Sequence, residues 1–126
     1  MTRRILVVED HPDNRRIVRD LLGSVGFEVI EAVDGVEGVR MAELHRPDLI
    51  LMDVQLPELD GLGATRAIKA NPELRLIPVL VATSYALSGD EERARAAGAD
   101  AYIAKPFSPR KLLAMIRGLL PKEDGV

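Results

Sequence analysis

The sequence contains no cysteine. That removes disulfides, thiolate metal sites and cysteine nucleophiles together, and it suits a reducing compartment. Tryptophan is absent as well, and the chain has only two tyrosines and two phenylalanines. Any aromatic near a chemical site therefore stands out. There is no excess of positive charge: the formal net charge is −3. Nucleic-acid binding rests on basic side chains that neutralise phosphates, so no nucleic-acid partner is expected. Long apolar runs are missing too. The first run, Ile5 to Val8, is stopped by Glu9 and Asp10. It is too short for the apolar part of a signal peptide and far too short to span a bilayer, so a cytoplasmic protein with no membrane insertion is expected.

What is present fits one globular domain of 126 residues, with 47% apolar and 29% charged side chains. Such a length buries an ordinary core without staples. Short β-branched runs alternate with helical patterns along it. Strands are expected at Ile5 to Val8, Glu28 to Ala32, Leu49 to Met52, Val79 to Ala82 and Ala101 to Ala104. Leu49 to Met52 is apolar throughout, the mark of a strand covered on both faces. Between the strands, Ile17, Leu21, Leu22 and Val25 recur at helical spacing behind Pro12, with Gly26 as a stop. Asp34-Gly35-Val36-Glu37 and Ser88-Gly89-Asp90-Glu91 resemble capping boxes, Asn71-Pro72 ends a third helix, Gly98 ends a fourth, and Ser108-Pro109 opens a fifth with an apolar stripe from Leu112 to Leu120. Five strand–helix pairs predict an α/β fold: a doubly wound, five-stranded parallel sheet flanked by five helices. The core is expected over about 4–120, with a short C-terminal tail at 121–126 and no second domain.

In such sheets ligands sit at the carboxyl ends of the strands. Glu9 and Asp10 follow the first strand, Asp53 follows the third, Thr83 and Ser84 follow the fourth, and Lys105-Pro106 follows the fifth. Three carboxylates brought together repel unless something positive lies among them. A few acidic oxygens with room for water and a phosphate are what Mg²⁺ prefers. Asp53, ionised at the end of an apolar strand, is also a candidate nucleophile toward phosphorus, with Lys105 and the Thr83 hydroxyl as ligands for the phosphoryl oxygens. The plainer reading of Glu9 and Asp10 is that they cap the helix that follows, and that of Tyr102 is an edge-strand aromatic.

These motifs resemble the signature of receiver domains of two-component response regulators, and the likeness runs from Ile5 to about Leu120. Its marks are Glu9-Asp10, Asp53 with Pro57 and Gly61 beyond it, Thr83-Ser84 and Lys105-Pro106. The resemblance implies a flavodoxin-like, CheY-like fold and a stand-alone regulator. It makes Asp53 the phosphoacceptor, and Glu9, Asp10, Asp53 and the backbone carbonyl of Gln55 the ligands of Mg²⁺ or Mn²⁺. It makes Thr83 the switch hydroxyl, Tyr102 the switch aromatic and Lys105 the phosphoryl ligand, with a cis bond to Pro106. Ser84 stands where the family has a smaller residue, still leaving room for the phosphoryl group. Tyr85 and Gln55 are expected to flank the path of attacking water. The implied partners are a sensor histidine kinase or phosphotransfer protein and a downstream signalling protein, in a monomer or weak dimer. The chain is then a phosphoacceptor, not a turnover enzyme, catalysing at most its own phosphotransfer and slow dephosphorylation.

Three rival classes meet obstacles in the residues. A haloacid-dehalogenase-type phosphatase needs a second acid two positions after its nucleophile, where Gln55 stands. An FMN carrier needs a phosphate-cradling loop after the first strand, and Glu9-Asp10-His11-Pro12 would repel a phosphate. A binding module that merely keeps the fold has no use for the intact acids, Thr83 and Lys105. Gly61-Leu62-Gly63-Ala64-Thr65-Arg66 begins like a dinucleotide fingerprint, but Arg66 replaces the third glycine and no strand precedes it, so it reads as a helix start.

Overall fold

A computed structural model of the chain describes residues 2–56, 59–83 and 90–120. Pro57, Ser84, Tyr85, the first half of the 88–91 capping box and the 121–126 tail lie outside the described residues. The elements alternate without exception: β1 (Arg4–Val8), α1 (Pro12–Ser24), β2 (Glu28–Ala32), α2 (Gly35–His45), β3 (Leu49–Asp53), α3 (Gly61–Ala70), β4 (Val79–Thr83), α4 (Asp90–Ala96), β5 (Ala101–Ala104) and α5 (Pro109–Leu119). The strands form one parallel sheet in the order β2-β1-β3-β4-β5. The expected doubly wound fold is therefore observed.

Alternation along each strand divides the core in two. Leu6, Val8, Ile50, Met52, Val79 and Val81 face one side and pack with Ala42 of α2, Ala64 and Ile68 of α3 and Ala94 of α4. Ile5, Val7, Leu49, Leu51, Leu80 and Ala82 face the other, against Leu22 of α1 and Leu112 and Ile116 of α5. β3 and β4 are buried at all five positions, whereas edge strand β2 buries only Ala32 fully.

Local chemistry sets the helix ends. The Asp34 side chain accepts from Glu37 N–H at 2.7 Å, Asp60 from Gly63 N–H at 2.7 Å and Ser108 from Lys111 N–H at 3.1 Å. The Asp34–Glu37 box closes one residue further back than expected, since the Glu37 carboxylate takes the N–H of Val33. α2 ends on Arg46 in the left-handed region (φ 45°), where glycine is the usual occupant.

The apolar stripe expected on α1 is rotated in the structure. Leu22 is fully buried, Val18 and Leu21 are partly buried, but Ile17 is 62% exposed and Val25 is also exposed. The row that faces the protein runs through Arg15, Val18 and Leu22, and the guanidinium of Arg15 takes the position nearest β2.

Candidate functional site

Strand order reverses between β1 and β3, and the crevice beyond their carboxyl ends is where such sheets hold ligands. Glu9 and Asp10 lie one and two residues past β1, and Asp53 closes β3. The carboxylates of Glu9, Asp10 and Asp53 each place an oxygen within 4.8 Å of the others, with Glu9 and Asp53 buried and Asp10 exposed. Lys105, one residue past β5, reaches in from across the sheet. Its ammonium donates to Glu9 Oε1 at 2.8 Å and to Asp53 Oδ2 at 3.1 Å. Backbone groups complete the frame: Gln55 N–H points at Asp53 Oδ1 (3.3 Å) and His11 N–H at Glu9 Oε2 (3.2 Å).

These side chains are placed rigidly because the ladder continues past the strands. Glu9 N–H bonds to the Ala32 carbonyl, Val54 N–H to that of Ala82 and Lys105 N–H to that of Thr83. The loop after Asp53 folds back on β3, with Gly61 N–H on the Val54 carbonyl. A Cβ at Gly61 would run into the backbone carbonyl of Asp53, so only glycine permits this approach. The Lys105–Pro106 bond is cis.

The electrostatics of the cluster are unbalanced. Burial, followed by the neighbouring Glu9 carboxylate, lifts the Asp53 carboxyl from an ordinary 3.8 to about 6, against the pull of Lys105. Burial also works against the charge on Glu9, but its hydrogen bonds with Lys105 and Asp53 outweigh that and hold it below 4.5. Lys105 is likewise desolvated, yet its two carboxylate partners hold its proton more tightly than in water. With all groups ionised, three negative charges face one positive charge. A small divalent cation fits that deficit, and oxygen donors alone are the set Mg²⁺ takes.

Thr83 is 1% exposed at the end of β4 and pairs in register with Ala104, next to Lys105. Tyr102 is partly buried against the core that includes Met52 and Val81. The helix-capping reading of the acids does not hold: the N-cap of α1 is His11, with no side-chain cap, and Glu9 is turned toward Lys105. Beside the cluster an open cleft of about 540 Å³ runs between α1 and the start of α5, lined by Asn14, Ile17, Val18 and Phe107 as well as Glu9 and Lys105. The exposure of Ile17 on this cleft explains why the apolar stripe of α1 misled.

Comparison with known proteins decides the family. The model of the response regulator receiver domain matches residues 5–117. The chain belongs to the response-regulator receiver family. The polar-differentiation response regulator DivK of Brucella ovis is 45% identical over 120 residues, which cover 95% of this chain and 98% of that one, and DivK of Brucella abortus matches to the same extent. Among solved structures, the receiver domain of a sensor histidine kinase from Pseudomonas aeruginosa is 41% identical with a TM-score of 0.88, over 94% of this chain and 98% of that one. That receiver holds a magnesium ion coordinated in its active-site cleft. The chemotaxis response regulator CheY4 of Vibrio cholerae is 29% identical with a TM-score of 0.89, over 95% of this chain and all of that one. This receiver is thus a signalling protein of the two-component kind. Among its described residues no helix is long and apolar enough to cross a membrane.

The sequence alone did not point to Arg15 as part of the site's frame. Its guanidinium donates to the Glu9 carbonyl at 3.0 Å and to Glu31 Oε1 at 3.1 Å. The only trace in the sequence is a basic residue in the first turn of α1 and an acid on β2, which by themselves look like two solvated charges.

Proposed function

We propose that this receiver takes a phosphoryl group onto Asp53 from the phosphohistidine of a sensor kinase or phosphotransfer protein, and that it signals by changing which downstream protein it binds. The observation that carries this reading is the Asp53–Lys105–Glu9 cluster at the strand-order reversal, with Asp10 beside it. A carboxylate oxygen of Asp53 forms the new P–O bond as the P–N bond to imidazole breaks, giving an acyl phosphate and a neutral histidine that has taken up a proton. Lys105, already fixed between two carboxylates, is placed to bind a phosphoryl oxygen, and the Thr83 hydroxyl is the candidate for another.

Glu9, Asp10, Asp53 and the carbonyl of Gln55 would hold Mg²⁺ or Mn²⁺. Bound there, the cation supplies positive charge against the phosphoryl oxygens. Ser84 and Tyr85 keep the roles assigned from sequence: space beside the phosphoryl group for the first, and hindrance of attacking water for the second. Thr83 and Tyr102 form the switch, since drawing Thr83 toward a new acceptor vacates space that a ring on the neighbouring strand can fill. The whole chain acts as a single receiver in the cytoplasm, as a monomer or weak dimer. Its output goes through the α4–β5 face, where Arg93 and Arg95 are exposed on a helix that, among its described side chains, buries Ala94 alone. Labelling with a small acyl phosphate tests the core of this. Wild type labels only with Mg²⁺ or Mn²⁺, and Asp53→Asn does not label. Equal labelling of Asp53→Asn would refute the assignment.

A further inference from the structure

The two peptide planes that meet at Glu9 are each held by a hydrogen bond, one to β2 and one to α1. On one side, Glu9 N–H bonds to the Ala32 carbonyl of β2 at 3.0 Å. On the other, the Glu9 carbonyl accepts from Arg15 NH1 at 3.0 Å. Arg15 does not reach for that carbonyl freely. Its backbone N–H is fixed on the His11 carbonyl at 2.9 Å in the first turn of α1. Its Nε is bound to Glu31 Oε1 at 3.1 Å, and Glu31 is itself approached by Arg19 NH1 at 3.6 Å. Arg15 is mostly covered, with 19% of its side chain exposed. A planar fork with two differently directed donors suits this double duty, and a flexible ammonium does not.

A peptide is a rigid plane. Fixing its carbonyl therefore fixes the N–H of Asp10 and the place of its Cα, from which the side chain starts. Asp10 is the exposed member of the acid cluster, with neither the burial nor the lysine contact that holds Glu9. If the plane turned, Asp10 would swing away from Glu9 and Asp53 while the other two stayed. Glu31 has a second effect. By binding Arg15 it keeps that cation on the Glu9 carbonyl and off the carboxylates, where it would compete with a metal.

We propose that Arg15, anchored by Glu31, is a positioning residue for the divalent-cation site: it acts on the Glu9–Asp10 peptide and touches neither metal nor phosphate. The inference rests on the cation-binding reading given above. It also predicts a sign that simple electrostatics does not. Arg15 is positive, so losing its charge would by itself strengthen cation binding at a nearby acidic cluster. Losing a positioning contact weakens it, by about tenfold or more for comparable outer contacts at metal sites.

The test is Mn²⁺ binding to the unphosphorylated protein at neutral pH, followed by the spin resonance of free Mn²⁺. Wild type should bind, and Arg15→Met, which keeps the apolar stem, should bind about tenfold more weakly. Arg15→Lys keeps the charge but not the fork, and should fall between the two. An unchanged or tightened affinity in Arg15→Met would overturn the proposal. Should that variant not fold, Arg15→Lys carries the test, and wild-type affinity there would overturn it equally. No Mn²⁺ binding by the wild type would instead refute the cation-binding reading, and with it this inference.

Discussion

Replacing Asp53 with asparagine should make the metal-free protein more stable, not less. The carboxyl is 6% exposed and binds its proton at about 6 when folded, against 3.8 for an ordinary aspartate. A group whose folded value is raised favours the fold below its unfolded value, and loses that contribution as pH rises through its folded value. For Asp53 the window is therefore 3.8 to about 6. Across it the two states differ by roughly two powers of ten in proton affinity, worth ~3 kcal/mol at ~1.4 kcal/mol per power of ten. Asparagine imitates the protonated acid in shape and neutrality, so it escapes this penalty. Glu9 works the other way, because its lowered value favours the fold above 4.5 and part of that comes from Asp53. The expected net gain for Asp53→Asn is thus about 2 kcal/mol above pH 6, shrinking toward zero below pH 4. Urea unfolding at several pH values without metal measures it. Saturating Mg²⁺ should erase the gain by stabilising the wild type more than the variant. A variant that is less stable than wild type at neutral pH, or a gain that does not vary with pH, would refute the view that Asp53 is held charged at a cost.

Mg²⁺ affinity should rise with pH through about 6 as Asp53 loses its proton, and calorimetry showing a flat profile between pH 5 and 8 would contradict this. Thr83→Ala should still take label on Asp53 but lose most of its phosphorylation-dependent partner binding, as read by a pull-down with and without beryllofluoride; equal capture by the variant and the wild type would count against the switch. Reversing Arg93 and Arg95 to glutamate should weaken partner capture and leave labelling by a small acyl phosphate intact. Lys69→Met should cost about 2 kcal/mol or more of unfolding free energy, because its ammonium holds the carbonyls of Arg75 and Ile77 and the Asp100 carboxylate at 2.8 to 2.9 Å; a chemical denaturation curve superimposable on wild type would show those contacts to be ornamental.

Features written in short stretches of sequence were the legible ones. The apolar run ending at Asp53 specified a covered central strand and its functional end together. Asp34, Ser108 and Gly98 marked helix limits through side-chain caps and a positive φ of 101°, which act within a few residues. Once the strand ends were known, Glu9, Asp10, Asp53, Thr83 and Lys105 fell along one edge of the sheet. Long-range pairings were not legible. Arg15 and Glu31 look like surface charges until β1 brings α1 and β2 together. Lys69 looks like a helix-surface lysine until Asp100 arrives from 31 positions away. The face of α1 was misjudged because Ile17 satisfies helical spacing yet borders the cleft, while Arg15 takes the inward position for its hydrogen bonds. Arg46 in a left-handed conformation carries no signal in its residue type.

The bond between Lys105 and Glu9 joins residues 96 positions apart in a chain of 126. All three carboxylates of the cluster are synthesised in the first half of the chain. A growing polypeptide therefore assembles its acidic residues early, and they stay without their internal counter-ion until β5 has been made and docked beside β4. Closing so wide a loop is entropically costly and comes late when contacts form in order of separation. A copy clipped before β5 would carry Asp53 without the ammonium that balances it, so a complete cluster reports that the chain has folded as far as its fifth strand.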